Sequence, residues 1–328
     1  MTDQTSPTDP TNPPLDPGLG RWSAQSRPMG IGFMCPIAED SAFGRPVKVA
    51  DMVEMALTAE AAGLDSLWLA DHLIFRHPVT AEGEENGPWE AWTAAAAIAQ
   101  ATSKITVGLL VTCLGWRNPA IVARMTETID DISQGRFVLG VGAGWHEPEY
   151  DAYGFPFDHR ASRFEDALVI LDGLLRRGQS THAGRHFSTD DAPNRPRGPL
   201  GPTGGSPILV GTSGERMLRL TARYADAWNT VWHPSADKAA ERIAALDAAC
   251  AAVGRDRSTL VMTAGGNVAG EGYTGHRENP IQGDDAHVAA EIAKFRDLGF
   301  RHFVAGLDPC TPAAIERFAR VVGLLDEG

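Results

Sequence analysis

Residues 104–144 read KITVGLLVTCLGWRNPAIVARMTETIDDISQGRFVLGVGAG. KITVGLLVTCL is an almost unbroken apolar run, as expected of a parallel strand covered on both faces. NPAIVARMTETIDDISQG follows with apolar residues at helical spacing and a stop at Gly135. RFVLGVGAG is then a second buried strand that opens into glycines. Strand, helix and strand in so short a stretch make one parallel crossover unit.

The same unit recurs on both sides. Upstream lie the strand MGIGFMC, the helix PVKVADMVEMALTAEAAG, the strand LDSLWLADH and the helix PWEAWTAAAAIAQATS, with Pro88 near its first turn. Downstream, RASRFEDALVILDGLLRRG is a fourth helix. The rhythm breaks over about 179–206, which are rich in Pro and Gly and read as an insertion with a short hairpin. It resumes with PILVG, SGERMLRLTARYA, DAWNTVW, SADKAAERIAALDAACAAVG, STLVMTAGGNVAG, DDAHVAAEIAKFRDLG, FRHFVAGL and PAAIERFARVVGLL. Eight alternations predict an α/β protein, a (β/α)8 TIM barrel with an insertion before strand five, over one domain at 29–328. The rival is a doubly wound open sheet. Residues 1–28 are polar and Pro-rich and read as a disordered or extended tail.

The net charge of −13 argues against nucleic acid or an anionic membrane surface as a partner. No apolar run is long enough to span a bilayer, and the N-terminus lacks a signal peptide's apolar region. Cys35, Cys113, Cys250 and Cys310 have no metal or CxxC spacing, which fits reduced, buried thiols in a cytoplasmic protein without a metal site.

A barrel of this kind builds its active site from the loops after its strands. Here those are 35–45, 71–87, 112–117, 142–159, 211–215, 229–234, 265–284 and 305–309. Gly211, Thr212, Ser213 and Gly214 open a helix and suit an anion; equally, Ser213 is a plain helix cap. Asp71 and His72 end the second strand, either as a histidine tuned by its neighbouring carboxylate or as a loop cap beside an exposed ring. Thr112 and Cys113 end the third, as a ligand edge or a solvent-facing rim. Cys113 lacks an activating His motif and is not read as a nucleophile. His146 and Glu149 in WHEPEY are candidate acid or base groups, or ordinary loop polars. Trp68, Trp116, Trp145, Trp228 and Trp232 all fall at or beyond strand ends and suit a flat apolar ligand.

Together these residues resemble the luciferase-like family of flavin and deazaflavin oxidoreductases. The resemblance is carried by AEAAGLDSLWLADH, WRNPAIVARMTETIDDISQGRFVLGVGAGWHEPEYDAYGFPF, RFEDALVILDGLL and PILVGTSGERMLRLTARYADAWN, in order over most of residues 30–235. It implies coenzyme F420, or alternatively FMN, across the barrel mouth, with hydride transfer to or from a small organic substrate. The FMN alternative is a monooxygenase; a ligand-binding barrel without turnover is a third. It implies Asp71 and His72 near the ring, an often cis non-prolyl peptide within Leu110 to Cys113, and Gly32, Val111, Thr112 and Cys113 as cofactor contacts. Gly142, Ala143, Gly144 and Trp145 would line the ring or its chain, their glycines giving it clearance, and Gly211 to Gly214 would hold the phosphate. Sugar-phosphate dehydrogenases of the family carry Glu where this chain has Trp145, which argues against glucose 6-phosphate as substrate. The alanine-rich helix AWTAAAAIAQA predicts a homodimer.

Overall fold

The computed structural model describes residues 27–38, 45–271, 273, 275 and 279–327. The expected N-terminal tail lies almost wholly outside them. In chain order the elements are β1 (Gly30–Met34), α1 (Val49–Ala61), β2 (Ser66–Leu69), α2 (Ala91–Ala101), β3 (Thr106–Leu109), β4 (Thr112–Cys113), α3 (Pro119–Ser133), β5 (Phe137–Gly142), α4 (Glu147–Tyr153) and α5 (Arg160–Asp172). They continue with β6 (Gln179–Ala183), β7 (Ser188–Pro193), β8 (Ile208–Gly211), α6 (Glu215–Tyr224), β9 (Ala227–Thr230), α7 (Ala236–Val253), β10 (Val261–Gly270), β11 (Ile281–Gly283), α8 (Asp285–Asp297), β12 (His302–Asp308) and α9 (Pro312–Glu327).

Parallel pairing runs β1–β2–β3–β5–β8–β9–β10–β12 and returns from β12 to β1. The sheet is closed, which rules out the open alternative and establishes the (β/α)8 barrel. β4 continues β3 beyond a cis Leu110–Val111 peptide and pairs with β5. The insertion forms an antiparallel hairpin, β6 with β7. The segment after β7 is tied to α3 by the buried Glu127 carboxylate, which accepts from Asn194 Nδ2 (2.9 Å), Arg197 Nε (2.9 Å) and Gly198 N (2.6 Å).

Most of the core lies between the strands and the helical ring. The barrel interior is plugged by Trp68, Leu110, Val138, Leu209, Ala227 and Val304. Toward the N-terminal end of the strands, Ser66 Oγ lies 2.7 Å from His302 Nε2 and accepts from Trp68 Nε1 at 2.8 Å. Burial lowers the His302 pKa to about 3, so the ring is neutral at neutral pH. All four cysteines are free and buried.

α2 starts at Ala91, where the Glu90 side chain caps it by accepting from Trp92 N and Thr93 N, and Pro88 lies just before that cap. The loop after β5 contains the short helix α4, with a proline and two acids in its first turn and Gly154 closing it at φ 73°. In α2, Ala91, Trp92, Ala94, Ala95, Ile98 and Ala99 are buried within this chain. No helix among the described residues is long and apolar enough to cross a membrane.

Candidate active site

The glycines after β5 have an internal explanation. A Cβ on Gly140 would overlap the Leu109 carbonyl, and one on Gly142 would lie 2.6 Å from Val111 Cγ2. At Gly144 (φ 77°) it would overlap the Tyr150 hydroxyl and lie 2.7 Å from Cys113 Sγ. Clearance for a cofactor, the expectation above, is not what requires glycine here: neighbouring chain fills the space. Tyr150 donates to Ala143 O at 2.9 Å and lies 3.0 Å from Cys113 Sγ. Burial raises both groups, the Cys113 thiol to about 12. A thiol held so far above neutral pH is no nucleophile.

Gly32 also moves. It is in register with Ser66, the first residue of β2, and a Cβ there would overlap Ser66 Oγ. That places it inside the barrel wall and away from the mouth, because the second strand's side chain occupies the position.

Asp71 and His72 turn in different directions. The buried Asp71 carboxylate accepts from Arg117 Nη1 (2.6 Å) and Nη2 (3.0 Å) and from Cys113 N (3.0 Å). Burial raises its pKa, against the pull of the Arg117 guanidinium. Asp71 thus ties the end of the second strand to the segment after the cis peptide, and it is not the partner of His72. That partner is Glu149. Its buried carboxylate lies 3.0 and 3.1 Å from His72 Nδ1 and accepts from Leu73 N (2.6 Å) and Ile74 N (3.3 Å). Among the described residues His72 Nε2 has no hydrogen-bond partner.

His146 is buried with Nε2 accepting from Arg76 N at 3.2 Å, while Nδ1 is buried without a partner. Burial lowers its pKa, which keeps it neutral. Its accepting Nε2 places the proton on Nδ1. Thr112 Oγ1 is likewise buried without a partner. Arg117 and Tyr150 carry roles that the sequence analysis does not assign; Arg117 sits in WRN after the third strand and Tyr150 ends WHEPEY.

The loop at Gly211 to Gly214 is open. Gly214 is the N-cap of α6, no side chain caps the helix, and a Cβ on Gly214 would meet nothing within 4 Å. Ser213 is therefore not the cap. Gly211 faces Val111, whose Cγ1 would lie 2.9 Å from a Cβ there. Of the five strand-end tryptophans, Trp68 and Trp228 are fully buried and Trp116 packs with Cys113 and Tyr150. Trp145 and Trp232 remain open, at 59% and 39% exposure.

The structure is a closed parallel barrel with a histidine–carboxylate pair and an uncapped helix start at its C-terminal mouth, the end where barrels of this kind carry their sites. Residues 29–271 match the luciferase-like monooxygenase family, and the chain belongs to it. It is 30% identical over 226 residues to a phthiodiolone/phenolphthiodiolone dimycocerosates ketoreductase of Mycobacterium tuberculosis, covering 63% of this chain and 57% of the ketoreductase. It is 31% identical over 186 residues to the F420-dependent glucose-6-phosphate dehydrogenase of Amycolatopsis mediterranei, covering 54% and 52%. The matches thus span only half to three-fifths of these relatives. An F420-dependent secondary alcohol dehydrogenase bound to an F420-acetone adduct shares the fold at a TM-score of 0.75 and 21% identity, over 90% of this chain and 99% of that one. A riboflavin lyase holding modified FMN and riboflavin does so at 0.77 and 16%, over 91% of each.

Proposed function

We propose that the protein transfers hydride between coenzyme F420 and a small organic substrate, with His72 exchanging the substrate's proton. The observation that carries this reading is the His72–Glu149 pair. Glu149 accepts the proton of Nδ1 and thereby fixes the tautomer whose Nε2 lone pair is left for a ligand. A base held this way accepts a hydroxyl proton, and in reverse its protonated form returns one.

The residues fit such a cofactor. The uncapped start of α6 offers backbone N–H groups and a favourable dipole to a phosphate, and Gly214 leaves the approach open. The unpartnered Thr112 hydroxyl offers a buried polar contact beside the cis peptide. Bound there, the deazaflavin supplies the hydride chemistry. Asp71, through Arg117 and Cys113 N, holds the wall behind it. Support also comes from the F420-dependent dehydrogenase at 31% identity.

Titration of the purified protein with coenzyme F420 and, separately, with FMN tests the reading. Preferential binding of F420 is expected. Binding of FMN with oxygen consumption would replace it with the monooxygenase alternative. Pairing of two copies through the solvent face of α2 is proposed with it, and a monomer mass in light scattering at micromolar concentration would remove that part.

A further inference from the structure

The mouth loop that continues from His72 is clasped by side chains at and just before α4. Glu149 Oε1 accepts from Leu73 N at 2.6 Å and from Ile74 N at 3.3 Å. The Tyr153 hydroxyl donates to Leu73 O at 3.3 Å. Farther along the loop, His146 Nε2 accepts from Arg76 N at 3.2 Å. The Arg76 bond fixes the segment that walls one side of His72. Phe75, the residue before it, flanks the imidazole at 4.6 Å and exchanges backbone bonds with Asn86 at 2.8 and 3.0 Å. Arg76 O in turn accepts from Val79 N at 2.9 Å.

The two halves of the clasp differ in chemistry. A carboxylate goes on accepting through the pH range in which an imidazole titrates. A neutral imidazole accepts at one nitrogen, but a protonated one donates from both. The Arg76 bond therefore exists only while the His146 ring is neutral. The surroundings keep it so. Burial lowers its pKa from the ordinary 6.5, His72 and Arg76 act in the same direction, and Glu149 opposes them. Arg76 is itself paired with Glu85 at 2.6 Å. The Trp145 ring packs against the imidazole, centroids 5.2 Å apart. Nδ1, which carries the proton, meets no acceptor among the described residues. A second proton would set Nε2–H against the Arg76 N–H and leave Nδ1–H as it is, so no bond would compensate for the one lost.

We propose that His146 is a positioning residue whose neutral ring holds residues 75–80 against His72, and whose protonation releases that segment while residues 73 and 74 stay on Glu149. In mild acid the mouth then opens on the side of Phe75, and the His72–Glu149 pair stays in place. The proposal goes beyond the cofactor reading above and does not depend on which cofactor the barrel takes.

The test is amide hydrogen exchange of the full-length protein, read residue by residue by NMR and normalised at each pH to the unfolded chain. A released ring titrates near its ordinary value, so an opening that takes up a proton should grow about eightfold between about pH 7 and about pH 5.5. Protection at Arg76 should fall by that factor, while protection at Leu73 should stay within about twofold. His146→Gln offers an amide oxygen in place of Nε2. His146→Asn is too short to reach Arg76 N. Both should abolish the pH dependence at Arg76, the first at high protection and the second at low. Either variant suffices, with circular dichroism confirming that it is folded. A flat profile at Arg76 in the wild type, an equal fall at Leu73, or a fall that persists in a folded variant overturns the proposal. No cofactor enters the measurement, so failure of F420 binding leaves its outcome untouched.

Discussion

The hydroxyl of Tyr150 fills the space beside Gly144 that a side chain there would need. Gly144 also sits at φ 77°, in the left-handed region. Two independent constraints therefore demand glycine at one position.

Gly144→Ala should destabilise the fold by about 2–4 kcal/mol, summing backbone strain and overpacking. Adding Tyr150→Phe should recover part of this, since the Cys113 sulfur still crowds the site. Urea denaturation of the three proteins measures it. A loss under about 0.5 kcal/mol for the single variant would contradict the packing described.

His72→Ala should lower turnover about 100-fold or more, the range of a general acid or base, while changing the cofactor dissociation constant far less. Glu149→Gln should lower turnover as well, because an amide no longer enforces a single imidazole tautomer. Stopped-flow oxidation of the reduced cofactor separates the two constants. If neither variant changes turnover by more than about twofold, the pair is structural.

Gly214→Asp offers a split outcome. A carboxylate at this N-cap satisfies the helix donors itself and should stabilise the protein by a few tenths of a kcal/mol. The same charge occupies the proposed phosphate position, so cofactor binding should weaken. Thermal melts and a binding titration read the two effects. A variant that is more stable and binds the cofactor as well as wild type places the phosphate elsewhere.

His302 gives a pH dependence of stability. Its pKa falls from 6.5 to about 3 on folding, so below about 6.5 the unfolded chain binds a proton that the folded chain refuses. The stabilising contribution is complete above that pH and is lost as pH falls from about 6.5 toward 3, at about 1.4 kcal/mol per pH unit. His302→Gln keeps a neutral polar partner for Ser66 and should flatten the curve by one proton. Urea midpoints between pH 7 and 5 decide it; parallel curves for the two proteins would count against a buried neutral histidine.

Glu127→Ala should loosen the insertion. The change removes the acceptor of the Gly198 amide and one of the acceptors of Asn194 and of Arg197, which keep Leu174 O and Leu175 O, at a cost of about 1–3 kcal/mol. Hydrogen exchange should rise first in 194–200. Unchanged protection there would show that the hairpin is held by other contacts.

The alternation of apolar runs and helical spacing made the barrel legible, because periodicity is a local property. So were the loops at the barrel mouth. What stayed hidden were relations between distant segments. Glu149 meets His72 across 77 positions of chain, and nothing local told that carboxylate from Asp71 next door. The glycines of 140–144 mark a close approach, but of neighbouring chain where the sequence suggests a cofactor. Their neighbours, Leu109, Val111 and Tyr150, are known only once the barrel closes. Trp68 and Trp228 lie within strands and are buried, one inside the barrel and one under the helices, whereas Trp145 and Trp232 lie in the loops beyond the strands.

Helix α4 and the residue pair before it join several tasks in one short segment. Trp145 borders the imidazole, Glu149 orients it, and Tyr150 locks the glycine turn from below. The packing beside the imidazole, its proposed proton chemistry and the anchoring of the turn therefore rest on one segment. Divergence toward a different substrate would have to exchange residues 145–153 as a cassette, since altering one member at a time disturbs the others.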